Sequence, residues 1–125
     1  MNIEKQIAYW RAGAEEDWEF SAETLRGGKA RYSLFFAHLA LEKALKAHVC
    51  RTTRDLAPKS HDLVKLAKIA GLALDENQIR FLGRVNTYCI EGRYPELLTI
   101  PPSRDEAQMD WEKIAGVFQW LIGQL

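Results

Sequence analysis

The apolar residues of the chain recur every three or four positions along most of its length, the spacing of an amphipathic helix. A first helix is predicted over about residues 3–25. It ends at Gly27-Gly28, because glycine readily takes the left-handed conformation found at helix C-termini. A second helix is predicted over about residues 30–49, and Pro58 lies in the loop that follows. Its alanines, spaced three or four apart, would let another helix approach closely, within the fold or from a second copy.

Helix start signals divide the rest of the chain. Three candidate N-caps precede apolar stretches, and two of them have the capping-box spacing: Ser60, Asp75 with Gln78, and Ser103 with Glu106. They predict a short helix over residues 61–70, a fourth helix ending near Gly92 and Pro95, and a last helix reaching the C-terminus. Pro101-Pro102 exclude a helix over residues 97–102.

No stretch of alternating polar and apolar residues indicates a strand, and the predicted loops are short. Short loops favour antiparallel neighbours. The predicted fold class is therefore all-α: an up-and-down antiparallel helical bundle of four main helices plus one short helix. We expect one domain over residues 1–125.

The composition limits the class of protein and the compartment in which we expect it. The 125 residues are 47% hydrophobic, enough for a buried core and too many for a disordered chain. No apolar run is long enough to cross a membrane, and the N-terminus lacks the profile of a signal peptide. Cys50 and Cys89 are isolated, which favours reduced thiols. We expect a cytoplasmic protein with no membrane partner.

Charge is balanced overall, with 17 basic and 17 acidic residues, which argues against a general nucleic-acid binder. The balance hides a basic middle, since residues 29–68 hold nine basic and three acidic residues, a net charge of +6. Its clustered cations are Lys43, Lys46, Arg51, Arg54, Lys59, Lys65 and Lys68. They form either a patch that binds a phosphate or an acidic partner, or a solvated face neutralised by the acidic ends of the chain.

One helix face carries candidate chemistry. His38, Glu42 and Lys46 follow each other at intervals of four residues and therefore stack along the second helix. Glu42 and Lys46 are interpreted as a structural ion pair, either half-buried or on the surface. No metal site is expected, because the three histidines show neither an HExxH motif nor paired-ligand spacing. No cofactor is predicted.

Three segments together resemble the HEPN domain family. Residues 36–47, FAHLALEKALKA, resemble the family's second-helix motif, and Ser60-His61-Asp62-Leu63 resembles the entry to its next helix. Gly92-Arg93-Tyr94-Pro95 resembles its Arg-Tyr-Pro exit turn. Their order and spacing also fit, and the resemblance spans about residues 5–125.

The resemblance implies a helical bundle that forms a homodimer and partners a minimal nucleotidyltransferase in a toxin–antitoxin-like pair. In this hypothesis the chain is a binding module for a nucleotide or RNA. Lys43, Lys46 and Arg93 would attract phosphate, His61 would add a hydrogen bond, and Tyr94 would stack on a base.

Two alternatives stay open. RNA-cutting members carry an arginine followed four to six residues later by histidine, but no histidine follows Arg93. Arg54 and His61 have a comparable spacing but lie in a different place. Catalysis is therefore not favoured, and under the ribonuclease alternative these two residues would serve a metal-independent reaction. The other alternative is a protein-interaction bundle with no small-molecule site, in which Glu42, Lys46 and Arg93 form internal ion pairs.

Overall fold

A computed structural model describes residues 2–94 and 102–125 of the chain. These residues contain five helices: α1 (Ile3–Arg26), α2 (Ala30–Thr53), α3 (Leu63–Ile69), α4 (Glu76–Arg93) and α5 (Arg104–Gly123). No strand occurs within these residues. The predicted all-α fold class, with four main helices and one short helix, is confirmed.

Helix α2 is the centre of the bundle, and each of the other four helices packs against it. Its alanines at positions 37, 40, 44 and 47 are fully buried. Small side chains allow helix axes to approach closely, so this stripe serves packing inside the chain. A helix buried on nearly all sides must also bury its polar residues, and His38, Glu42, Lys46 and His48 are indeed buried.

Two predicted helix ends need correction. Helix α2 continues to Thr53 and ends at Arg54, which takes the left-handed conformation with a φ of 55°. The N-cap of α3 is Asp62 rather than Ser60, because its carboxylate accepts hydrogen bonds from the backbone of Val64 and Lys65. Ser60 instead accepts a hydrogen bond from the backbone N–H of Asp62.

The other start signals agree with the structure. Asp75 and Gln78 form a reciprocal capping box at α4, and Ser103 caps α5 by accepting from the backbone of Glu106. Gly28, with a φ of 77°, follows α1. The segment predicted to be non-helical falls mostly on residues 95–101, which lie outside the described residues.

Aromatic stacking joins the first helix to the last. The ring of Trp18 lies 4.6 Å from that of Trp111 and 4.9 Å from that of Phe118, with both pairs nearly parallel. The indole N–H of Trp111 also donates a hydrogen bond to Ser21 Oγ. These contacts hold α1 against α5. The start of α3 and the end of α4 line a separate cleft.

Candidate functional site

A buried carboxylate lies at the base of the site. Glu42 on α2 is only 4% exposed. Its Oε2 accepts a hydrogen bond from Lys46 Nζ at 3.0 Å, and its Oε1 accepts one from His61 Nδ1 at 2.9 Å. Both oxygens are therefore bonded, as a buried carboxylate requires.

Lys46 directs its charge inward. It is 6% exposed, and its ammonium group lies 5.0 Å from the ring centre of Trp10 on α1 as well as beside Glu42. A carboxylate on one side and an aromatic face on the other stabilise a cation that has left water. Lys46 therefore acts on the site through Glu42.

Asn86 on α4 is the second organising residue. Its Oδ1 accepts from the backbone N–H of Leu63 at 3.0 Å and from His38 Nε2 at 3.3 Å. Its Nδ2 donates to Asp62 Oδ1 at 3.0 Å. One side chain thus connects α4 to the first residue and N-cap of α3 and to the middle of α2.

His38 completes this connection from beneath. Its Nε2 also donates to the backbone carbonyl of His61 at 3.0 Å, so that nitrogen carries the proton. Its Nδ1 lies 3.9 Å from Glu42 Oε1 and has no hydrogen-bond partner among the described residues. Burial is the main cause that lowers the pKa of His38 below its ordinary value, which keeps the ring neutral.

Above this network lies an open cleft of about 400 Å³ between the start of α3 and the end of α4. Seven residues line it: His61, Asp62, Asn86, Cys89, Ile90, Arg93 and Tyr94. The bond to Glu42 uses Nδ1 of His61 as donor, which leaves Nε2 of that exposed ring available to a ligand.

Arg93 supplies the cation of the cleft. Its guanidinium carbon lies 5.6 Å from the ring centre of Phe35, and the side chain is exposed. A hydrogen bond to Cys89 is the main cause that raises the pKa of Arg93, and the nearby charge of Glu42 adds to it. A permanently charged guanidinium at the mouth of a cleft is suited to phosphate or carboxylate groups.

The structure brings some predicted site residues together and separates others. His61, Arg93 and Tyr94 line the same cleft. Lys43 is elsewhere, because it forms an ion pair with Asp17 of α1 at 2.8 Å. Arg54 pairs with Glu4 at 2.9 Å and does not line the cleft beside His61.

Three cations of the basic middle segment are paired within the fold. Acidic residues of α1 meet Lys43 and Arg54, and Glu42 meets Lys46. Arg51 donates to the backbone carbonyl of Gln124 at the end of α5. Two of these pairings involve acidic residues of α1, and Arg93, outside the basic segment, is the cation of the cleft.

The predicted site residues include neither Asn86 nor Asp62, although Asp62 belongs to the helix-entry motif. Asn86 precedes Arg93 by seven residues, which is two helical turns, so both lie on one face of α4. That spacing could have identified Asn86 as a cleft residue. The capping role of Asp62 could have been inferred from its place before an apolar stretch.

Two absences apply to the part of the chain that the structure describes. It contains no group of three or more His, Cys, Asp or Glu residues arranged to hold a metal ion. None of its helices combines the length and apolar character needed to cross a bilayer.

The architecture defines an all-α domain with an open cleft between the start of α3 and the end of α4. The sequence profile of the HEPN domain matches residues 7–124, and the chain belongs to the HEPN domain family. The resemblance noted from its sequence motifs is thereby confirmed. Comparison with curated protein sequences gives no significant match.

A solved structure shares the fold. The crystal structure of TT1696 from Thermus thermophilus superposes with a TM-score of 0.80 at 20% sequence identity. The alignment covers 96% of this chain and 98% of TT1696. At this identity the likeness concerns the fold alone.

Proposed function

We propose that this chain is a binding module that holds a phosphate-bearing ligand, a nucleotide or an RNA segment, in the cleft between α3 and α4. The observation that carries the proposal is the convergence of Arg93, His61 and Tyr94 on one open cleft. Arg93 would pair with a phosphate, the free Nε2 of His61 would accept a hydrogen bond from a ligand hydroxyl group, and exposed Tyr94 would stack on a base.

The buried network supports this role because it fixes the cleft before any ligand arrives. Glu42 sets the orientation of the His61 ring, and Asn86 sets the position of Asp62. A preorganised site loses less conformational entropy on binding. The carboxylate of Asp62 adds an acceptor at the cleft wall, which suits the hydroxyl and amino groups of a nucleoside better than a bare phosphate.

The test is thermal stabilisation by ATP, GTP and their non-hydrolysable analogues. A ligand at 100 times its Kd should stabilise the fold by about 2.7 kcal/mol, which raises Tm by several degrees. Arg93→Ala should abolish the rise. Arg80→Ala is the matched control, since Arg80 is an exposed arginine of the same helix paired only with Glu76. A wild-type Tm that no nucleotide or short RNA raises would contradict the proposal.

RNA cleavage is a second candidate, favoured by one observation. The His61 ring is held by a carboxylate, as in acid–base centres, and shares its cleft with Arg93 rather than Arg54. If this candidate is right, the purified chain cleaves RNA without metal, and His61→Ala and Arg93→Ala both stop cleavage while Arg54→Ala does not.

We also propose that the chain acts as a homodimer alongside a minimal nucleotidyltransferase, as the family resemblance implies. Large apolar side chains on α1 and α2 support an interface, since Tyr9 is 65% exposed, Phe20 46% and Tyr32 44%. Light scattering after size-exclusion chromatography should give twice the monomer mass. A small nucleotidyltransferase encoded beside this chain should co-purify with it.

A further inference from the structure

A second cleft lies on the bundle away from His61 and Arg93. Helices α4 and α5 both pack against α2, and Asp110 joins them at one end by bonding Arg84 and Tyr88. Further along, toward the start of α4 and the end of α5, the two helices leave a groove of about 400 Å³ between them.

The groove is almost entirely apolar. Leu45, Leu82 and Leu121 form its floor and are no more than 2% exposed. Val117 and Trp120 of α5 line it, and Trp120 is 44% exposed, which is unusual for so large an apolar side chain. Its volume and lining are those of a small-molecule site.

A glycine lies in the wall of the groove. Gly116 lines it from the middle of α5, where glycine costs a helix about 1 kcal/mol relative to alanine. A Cβ atom at this position would meet no other atom within 4 Å. No close backbone contact therefore requires glycine here, and the space above it belongs to the groove.

One charge sets the chemistry of the occupant. Lys113, one turn before Val117, is the only charged residue among the described residues that line the groove, and Gln78 is the only other polar side chain there. No carboxylate within the described ranges forms an ion pair with Lys113. An unpaired ammonium beside an apolar groove complements a ligand with an apolar body and a single negative charge.

We infer that this groove binds a small amphipathic carboxylate, with the aliphatic chain between α4 and α5 and the carboxylate on Lys113. The site is separate from the α3–α4 cleft and does not depend on the function proposed for it. Apolar contact supplies most of the affinity, and the exposed ion pair sets the preference for an anion.

The experiment is calorimetric titration of the full chain with decanoate, below its micelle concentration, and with decan-1-ol as the uncharged counterpart. Decanoate should bind saturably at one site. Lys113→Glu should weaken the binding of decanoate about five-fold, the limit for loss of an exposed ion pair, and leave the affinity for decanol unchanged. Lys65→Glu on α3 is the matched surface control and should change the affinity for neither decanoate nor decanol.

Gly116→Leu should weaken the binding of both ligands at least about ten-fold, because the leucine side chain fills the groove. Gly116→Ala adds only one methyl group and should change both affinities little. If Gly116→Leu fails to fold, as judged by circular dichroism, the Lys113 variant still decides the matter. The inference is overturned if decanoate does not bind, if its affinity survives Gly116→Leu in a folded chain, or if Lys113→Glu affects decanol and decanoate equally.

Discussion

Nδ1 of His61 lies 2.9 Å from Oε1 of Glu42, so an exposed imidazole is tied to a carboxylate that is only 4% exposed. The bond crosses from the α2–α3 loop to the centre of the bundle. Through it the buried ion pair of Glu42 and Lys46 determines which nitrogen of His61 faces the cleft. Core packing and site geometry are therefore linked at one residue.

The buried ion pair gives the first prediction. Glu42→Leu should lower the free energy of unfolding by about 3–5 kcal/mol, because it strands the Lys46 ammonium in the core. Replacing both partners, as Glu42→Leu with Lys46→Met, should recover most of that loss, since no uncompensated charge remains. Urea denaturation of the single and the double variant measures the two free energies of unfolding.

Glu15→Leu is the control for this experiment, because Glu15 forms a comparable ion pair with Arg11 on the exposed surface of α1. Its loss should cost less than about 1 kcal/mol. A double variant as unstable as the sum of its two single variants would contradict the ion-pair explanation.

Asn86 gives the second prediction. Asn86→Ala should lower the free energy of unfolding by about 2 kcal/mol or more, because Leu63 N–H and His38 Nε2–H lose a shared acceptor. It should also speed hydrogen exchange at the Leu63 amide. Asn77→Ala, at an exposed position in the first turn of α4, should change neither the free energy of unfolding nor the exchange rate at Leu63 by a comparable amount. Unchanged exchange at Leu63 would show that Asn86 does not organise the start of α3.

The third prediction concerns acid. Burial is the main cause that lowers the pKa of both His38 and His48 in the folded chain from the ordinary value of 6.5. The unfolded chain therefore binds protons at a higher pH than the folded chain. Stability should be greatest above about pH 6.5 and fall as the pH drops below it, by up to about 1.4 kcal/mol per pH unit for each histidine.

His48→Gln tests this prediction. A glutamine amide can still donate to the Leu121 carbonyl, which His48 Nε2 reaches at 2.8 Å, but it does not titrate. The free energy of unfolding of the variant, measured between pH 7.5 and 5.5, should fall less steeply than that of the wild type. Equal slopes would contradict the role assigned to His48.

The fourth prediction compares two glycines. Gly116→Ala should raise the free energy of unfolding by about 0.5–1 kcal/mol, because it replaces a glycine within a helix where the added Cβ has space. Gly28→Ala should lower it by about 1 kcal/mol, because Gly28 has a φ of 77°. Thermal unfolding of both variants gives the signs, and opposite signs are the expected result.

The helices could be predicted from the sequence because their signals are local. Apolar spacing and polar caps fixed α1, α4 and α5 closely, and the short loops indicated a bundle. The predicted end of α2, near Val49, is too early, since nothing in residues 50–53 opposes a helix. The helix stops at Arg54, whose left-handed conformation no glycine or asparagine signals in the sequence.

The site could be predicted only in part. His61, Arg93 and Tyr94 were found through motifs, but the sequence does not show which cations are already paired. Lys43 and Lys46 are both lysines of α2, yet Lys43 forms an ion pair with Asp17 and Lys46 forms one with Glu42. Such pairings depend on how α1 packs against α2, which no local pattern encodes.

The nearly parallel rings of Trp18 and Trp111 provide a spectroscopic signal for the folding of the chain. The two residues are separated by most of the sequence, so their stacking requires the first and last helices to have met. Contacts between distant residues carry the largest loop-closure cost and limit the rate of folding. The near-ultraviolet circular dichroism of this indole pair should therefore follow the docking of α5 on α1, while far-ultraviolet signals follow helix formation alone.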